Sequence, residues 1–220
     1  MLDTNFKQVK VIGFDLDQTL YPKSPEIDNV IQEYIYERMS RKLNIDTKTA
    51  KNKFVELYHT QGLGGTTSLI SLGFPADEAS NIIQEALENA NIAEFLKPNQ
   101  DLIDLLNRLK NKYSLDVITG SNRKNTETKL LHLNIPLTLF NSLITAENGS
   151  KSLGTSYKLW LSHYPNIVPE NFLYIGDRVR SDYEIPKTLG IKSILVNISE
   201  SDENTDCLQL KSVVDIGSYL

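Results

Sequence analysis

Between Pro98 and Asn197 short β-branched runs alternate with amphipathic patterns, an order that points to a parallel α/β sheet. Leu102, Ile103, Leu105, Leu106 and Leu109 predict a helix, SLDVIT (114–119) a strand, 124–132 a helix and SLIT (142–145) a short strand. The series continues with a helix over 153–163, a strand at NFLYIG (171–176), a helix over 182–189 and a strand at KSILVN (192–197). An earlier run, VKVIGF (9–14), reads as one more buried strand, and it ends at two acidic residues. Parallel strands joined by right-handed crossovers make an open, Rossmann-like sheet with helices on both faces. Ligands then sit outside the carboxyl ends of the strands.

Residues 22–95 interrupt this pattern and contain no strand signal. Ser24-Pro25 supplies an N-cap and a first-turn proline, and Ile27, Val30, Ile31, Tyr34, Ile35 and Met39 follow at helical spacing over 24–43. Further helices are predicted over 46–60, after the turn GLGGTT, and over 75–90. The expected division is a Rossmann-like catalytic core of residues 1–21 and 96–220 with an all-helical cap at 22–95. The polar stretch SESDENTD (199–206) reads as a solvated loop.

Composition narrows the partners. Lys and Arg total 23 against 28 Asp and Glu, a net charge of −5, which argues against a nucleic-acid polymer as ligand. One cysteine, Cys207, excludes an internal disulfide and a multi-thiolate metal site, and it suits a reducing compartment, so a cytoplasmic location is expected. The N-terminal MLDTNFKQVK has no apolar targeting or membrane-inserting stretch. Nothing in the sequence speaks to oligomeric state.

The chemistry-bearing residues fall at predicted strand ends. Asp15-Leu16-Asp17-Gln18-Thr19 follows the first strand, Thr119-Gly120-Ser121 the second, and Gly176-Asp177-Arg178-Val179-Arg180-Ser181-Asp182 a later one. Lys151 comes after the turn-like Glu147-Asn148-Gly149-Ser150. Alone, the aspartates could cap a turn, Thr119 could be an ordinary β-branched strand residue and Lys151 a solvated surface lysine. In this order they resemble the four motifs of the haloacid dehalogenase-like phosphohydrolase superfamily: DxDx(T/V), a Ser or Thr at the second strand end, a Lys, and GDxxxxD. The superfamily carries its helical cap where residues 22–95 are inserted.

The resemblance implies a magnesium-dependent phosphatase with an aspartyl-phosphate intermediate. Asp15 would be the nucleophile, and Asp17 the general acid and base. Thr119, the Gly120 amide and Lys151 would hold the phosphoryl group. Asp15, the Asp17 carbonyl and Asp177 would ligate Mg2+, with Asp182 supporting the metal shell or holding the lysine. Lys158 competes with Lys151 but falls within the periodic Leu153, Tyr157, Trp160, Leu161 pattern. Lys151 departs from the family pattern in being followed by Ser152 where proline is usual.

The opening FDLDQTLYPKSP, with a looser match at HTQGLGG, is similar to the pyrimidine 5′-nucleotidases of yeasts and plants. A nucleoside 5′-monophosphate is therefore the first expected substrate. The alternatives are small sugar or glycolate-type phosphates, a phosphotransferase or mutase reaction, and an inactive regulatory binding protein. His59, His132 and His163 have no partner at metal-ligand spacing, Gly62, Gly64 and Gly65 lack the strand and lysine of a phosphate loop, and Cys207 lies in a polar tail with no evident base.

Overall fold

The computed structural model describes residues 6–60, 65–89, 92, 95–197 and 205–220. The chain forms two compact units, one of Met1–Lys23 with Leu96–Leu220 and one of Ser24–Phe95.

The first unit is built on a six-stranded, all-parallel sheet. Its strands are β1 (Val11–Phe14), β2 (Ser114–Ile118), β3 (Ser142–Ile144), β4 (Phe172–Gly176), β5 (Lys192–Val196) and β6 (Leu208–Leu210), in the order β3-β2-β1-β4-β5-β6. β1 is central, with Phe14 opposite Val117 of β2 on one side and Ile175 of β4 on the other. The strand order therefore proceeds outward from β1 on both sides, through β2 and β3 on one and β4, β5 and β6 on the other, which makes the end of β1 the switch point at which such sheets bind ligands.

Both sheet faces are buried. Val11, Ile118, Phe172 and Tyr174 pack on Tyr157 and Trp160 of α7 (Thr155–Ser162), while Ile12, Phe14, Leu115 and Val117 alternate to the other face and are equally inaccessible. The Trp160 ring comes so close to β1 that a Cβ on Gly13 would lie 2.7 Å from it, so only glycine fits. Trp160 packs edge-on against Phe172 at 5.0 Å between centroids, and truncating a tryptophan so buried costs about 3–5 kcal/mol. Its indole N–H donates to Asp116 of β2 at 2.8 Å. The same buried carboxylate accepts from the Tyr164 hydroxyl at 2.7 Å and from the Ser142 amide and hydroxyl at 2.8 Å each. Asp116 thereby ties α7 and β3 to β2.

The remaining helices of this unit are α5 (Gln100–Lys110), α6 (Arg123–His132) and α8 (Ile185–Thr188). Two expectations need correction here. The helix expected over 182–189 is a π-helical turn, Val179–Glu184, followed by the short α8. The tail holding Cys207 is not a polar appendage: Cys207 is buried immediately before β6, because pairing of Leu208–Leu210 with β5 carries it inside.

The second unit has α1 (Pro25–Leu43), α2 (Thr47–Val55), a π-helical turn Glu56–Thr60, α3 (Gly65–Ser71) and α4 (Ala76–Asn89), with no strand among its described residues. Ser24 caps α1 by accepting from the Ile27 amide, Pro25 opens the helix, and Asn44 closes it in the left-handed region at φ 52°. Ile35, Tyr36 and Met39 of α1 meet Phe54, Leu69, Ile82 and Ala86 from the other three helices, so each amphipathic stripe finds apolar cover. The glycine turn ahead of α3 falls mostly at 61–64, outside the described residues, as does the side chain of His59. Among the described residues no helix is long and apolar enough to cross a membrane.

Candidate active site

Three strand ends converge because of the strand order. Asp15 follows β1 directly, and its amide donates to the Ile175 carbonyl of β4 at 2.8 Å, extending the ladder by one residue. Thr119 follows β2, with its amide on the Ile144 carbonyl at 2.9 Å, and Asp177 follows β4. Neighbouring parallel strands lie about 4.8 Å apart, so residues distant in sequence become adjacent carboxyl-edge groups.

Asp15 is buried, with Oδ1 accepting from the Leu16 amide at 2.8 Å and Oδ2 paired with Lys151 Nζ at 2.6 Å. Lys151 Nζ also reaches Asp182 Oδ1 at 2.8 Å and lies 5.4 Å from the Tyr174 ring centroid. Lys151 sits in the turn before α7, where Ser150 does the organising: its hydroxyl accepts from the Leu153 amide at 3.3 Å and meets the Ser152 hydroxyl at 2.9 Å. Gly154 then enters α7 at φ 72°, a conformation suited to glycine. Lys158 is exposed on α7. His132 and His163 are also exposed.

Asp182 is fully buried, and both its oxygens are engaged. Oδ1 takes Lys151 and the Ser181 hydroxyl, and Oδ2 takes the amides of Asp177 at 3.1 Å and Arg178 at 3.0 Å. The π-helical turn swings Asp182 back onto the end of β4, and a Cβ on Gly176 would collide with its carboxylate. Asp177, by contrast, has a buried Oδ1 with no hydrogen-bond partner.

Carboxylate oxygens of Asp15, Asp177 and Asp182 lie within 4.8 Å of one another. Lys151 is at ion-pair distance from two of the three, Asp15 and Asp182, while the charge of Arg178 is the largest offset to burial at Asp177. Burial pushes Asp15 up to about 7, Lys151 pulling against it while Asp182, Asp177 and Asp17 add to the rise. Burial likewise takes Asp177 up to about 6. Asp182 is held below the ordinary range, because Lys151 and the hydrogen bonds it accepts outweigh burial. This cluster is short of positive charge and offers an orphaned hard oxygen, so its residues fit a divalent cation such as magnesium.

Asp17 has different surroundings, which the sequence reading missed. Its Oδ1 accepts from Lys129 Nζ at 2.5 Å and from the Tyr21 hydroxyl at 2.6 Å, and its Oδ2 from the Ser121 hydroxyl at 2.6 Å. Burial raises its pKa, but these donors outweigh burial and bring it to about 2. Lys129 carries no signal in the sequence; it reaches Asp17 because Thr126, Lys129 and Leu130 form the inward face of α6. Gln18, next in the loop, adopts φ 58°, a strained conformation for a side-chain-bearing residue, and its carbonyl is tethered by the Asn197 side chain at 2.9 Å. The Thr119 hydroxyl accepts from the Ser121 amide at 3.1 Å, and Gly120 is exposed with open space beside it.

Comparison with known proteins agrees with this architecture. Two curated relatives are both named glyceraldehyde 3-phosphate phosphatase. The one from Methanocaldococcus jannaschii is 28% identical, covering 94% of this chain and 96% of that protein. The one from Pyrococcus furiosus is 27% identical, covering 86% and 80%. Among solved structures, a haloacid dehalogenase-like family hydrolase from Streptococcus pneumoniae superposes with a TM-score of 0.68 at 19% identity, covering 97% of this chain and 99% of that one. A sequence profile described as haloacid dehalogenase-like hydrolase matches residues 12–196, from the strand that delivers Asp15 to the strand beyond Asp177. With that match spanning every element that builds the acidic edge, the chain belongs to the haloacid dehalogenase-like hydrolases.

Proposed function

We propose that this protein is a magnesium-dependent phosphatase that hydrolyses small phosphomonoesters, with sugar-type and triose phosphates as its first substrate class. The observation that carries the reaction type is the buried Asp15–Lys151–Asp182 array beside the unpartnered Asp177 oxygen. The names of the two curated relatives support the substrate class. Neither carries the nucleotidase name that the opening FDLDQTLYPKSP suggests, so nucleoside 5′-monophosphates become the comparison arm of the assay.

In this reading the bound phosphate dianion adds negative charge beside Asp17 and lets it take up a proton from solvent; Asp15 then attacks phosphorus, the bond from phosphorus to the ester oxygen breaks, and Asp17, as the carboxylic acid, gives the departing alkoxide that proton. Water then attacks the phosphorus of the aspartyl-phosphate, Asp17 takes a proton from that water, and Asp15 is released with inorganic phosphate. Asp15 and Asp177, with the main-chain carbonyl of Asp17, would hold the magnesium ion, which when bound supplies positive charge to the phosphoryl oxygens. Thr119 and the Gly120 amide bind the phosphoryl group. Lys151 holds Asp15 in place and offsets the charge of the incoming dianion. Asp182, with its lone pairs already engaged, holds Lys151 and the Asp177 loop. Residues 22–95 serve as the substrate-selecting cap, a role drawn from their insertion between Asp17 and β2.

The test is a phosphate-release assay with magnesium over triose, sugar, glycolate-type and nucleoside phosphates, with and without sugar acceptors. The expected result is release from triose or sugar phosphates in preference to nucleotides. Transfer to an acceptor in place of release would make the protein a phosphotransferase, and silence across the panel would leave it a binding protein.

A further inference from the structure

Among the described residues four that bear a side chain adopt positive φ: Asn44, Asn134, Asn197 and Gln18. Asparagine enters the left-handed region because its short amide can bond locally, and glutamine has no such help. Gln18 is the exception, and it sits in the loop after β1, directly behind Asp17. A conformation of this kind persists only where the surrounding contacts hold it.

Two sets of contacts do so. Within the loop, the Leu16 carbonyl accepts from the amides of Thr19 at 3.3 Å and Leu20 at 3.0 Å. From outside it, Asn197 Nδ2 donates to the Gln18 carbonyl at 2.9 Å, across 179 residues of sequence. A carbonyl oxygen only accepts, so the amide nitrogen of Asn197 is the atom this contact needs. Asn197 follows β5 at φ 54°, and its own main-chain amide donates to the Leu210 carbonyl of β6 at 3.3 Å. The sheet thus fixes its backbone and leaves its side chain for the loop. Only φ and ψ of Gln18 separate the peptide plane carrying the Asp17 carbonyl from the plane carrying the Gln18 carbonyl. Holding the second plane, with those torsions set, fixes the direction of the first. Among the described residues no hydrogen-bond donor reaches the Asp17 carbonyl, which is therefore open to a ligand.

We infer that Asn197 is a positioning residue for the metal site: by holding the Gln18 carbonyl it keeps the β1 loop in the left-handed turn that presents the Asp17 carbonyl to magnesium. The inference rests on the magnesium-dependent reading above. Groups that orient a metal ligand without touching the metal typically cost about 10–100-fold in affinity when removed. The competing role for Asn197 is simply to turn the chain after β5, a task glycine performs as well. The two roles part at Asn197→Gly, which keeps the left-handed turn and deletes the amide donor.

The experiment titrates magnesium alone, without substrate, into wild type, Asn197→Gly, Gln18→Gly and Gln18→Val, and reads Kd from the heat of binding and from the rise in Tm with magnesium concentration. For Asn197→Gly the expected Kd is about 10-fold higher than wild type, or more. Gln18→Gly enters the left-handed region freely and keeps the tethered carbonyl, so its Kd should stay within about threefold. Gln18→Val places a β-branched side chain where it is least tolerated, and should weaken binding about 10-fold with Asn197 untouched. This pair serves if Asn197→Gly does not fold. A wild-type Kd in folded Asn197→Gly, whatever its Tm without metal, overturns the inference, as does an equal Kd for the two Gln18 variants. A wild type that binds no magnesium overturns the magnesium-dependent reading instead.

Discussion

Asp15 and Asp17 stand two residues apart on one loop, yet the regions around them are balanced differently. Around Asp15, three buried carboxylates cluster, Lys151 pairs with two of them, and an oxygen of the third, Asp177, is left without a hydrogen-bond partner. Around Asp17, one carboxylate receives a buried ammonium and two hydroxyls. The first region has fewer positive charges than carboxylates and suits a cation and a phosphoryl group. The second is already satisfied, so it fixes geometry rather than recruiting charge. A pair of identical side chains acquires two characters because α6 approaches one of them and the Lys151 turn and the β4 loop approach the other.

The sharpest way to break this contrast is at Asp15, the proposed nucleophile. Asp15→Asn should fold, since asparagine keeps the shape and the Leu16 contact, while kcat falls by about 10⁴-fold or more. Steady-state kinetics beside a melting curve check this, and near-normal turnover in a folded variant would remove Asp15 from the chemistry.

Next in size is the lysine comparison. Lys151→Ala should lower kcat/KM by roughly 10²–10³-fold, as loss of a preorganised charge donor does, whereas Lys158→Ala on the exposed face of α7 should stay within about twofold. The reverse ranking would place the phosphate on the other side of the turn.

Metal addition tests the charge deficit directly. The folded-state pKa of Asp15, about 7, lies above its ordinary 3.8, so the folded protein keeps a proton that the unfolded chain has released. That contribution to stability is present at low pH and is lost as pH rises from about 4 to 7. Asp177, raised to about 6, behaves the same way over a narrower window. Magnesium competes with these protons, so its effect on Tm should be small at pH 5 and largest at pH 8. At about 100 times Kd, linkage gives about 2.7 kcal/mol, roughly 5–10 °C for a chain of this size. A shift independent of pH would place the ion away from Asp15 and Asp177.

The smallest expected effect is at Tyr21. Tyr21→Phe removes one of three donors to Asp17 and leaves Lys129 and Ser121 in place, a change of about 1 kcal/mol, or roughly fivefold in kcat for an alkyl phosphate. A loss as large as that of Asp17→Asn would make the Tyr21 hydroxyl as important to the reaction as the carboxylate it serves.

Much of this was legible in the chain itself. Short continuous β-branched apolar runs alternating with helical patterns after Pro98 specify parallel strands, and the acidic and hydroxyl residues that follow them mark the carboxyl edge, where ligands of such sheets bind. The motif order carries Asp15, Asp17, Thr119, Lys151, Asp177 and Asp182 with it. Tertiary structure decided the rest. β6 is too short and too polar in its flanks to announce itself, and it exists only because β5 offers an open edge. The π-helical turn at Val179–Glu184 arises from the need to return Asp182 to the β4 loop amides, a long-range demand that no helical periodicity encodes. Lys129 looks like a surface lysine in sequence, 112 residues from Asp17, and only the packing of α6 on the carboxyl edge brings its charge to that carboxylate. Sequence fixes which groups can ionise, but what each does depends on how much water it loses and which charges replace that water, and both are set by the folded chain.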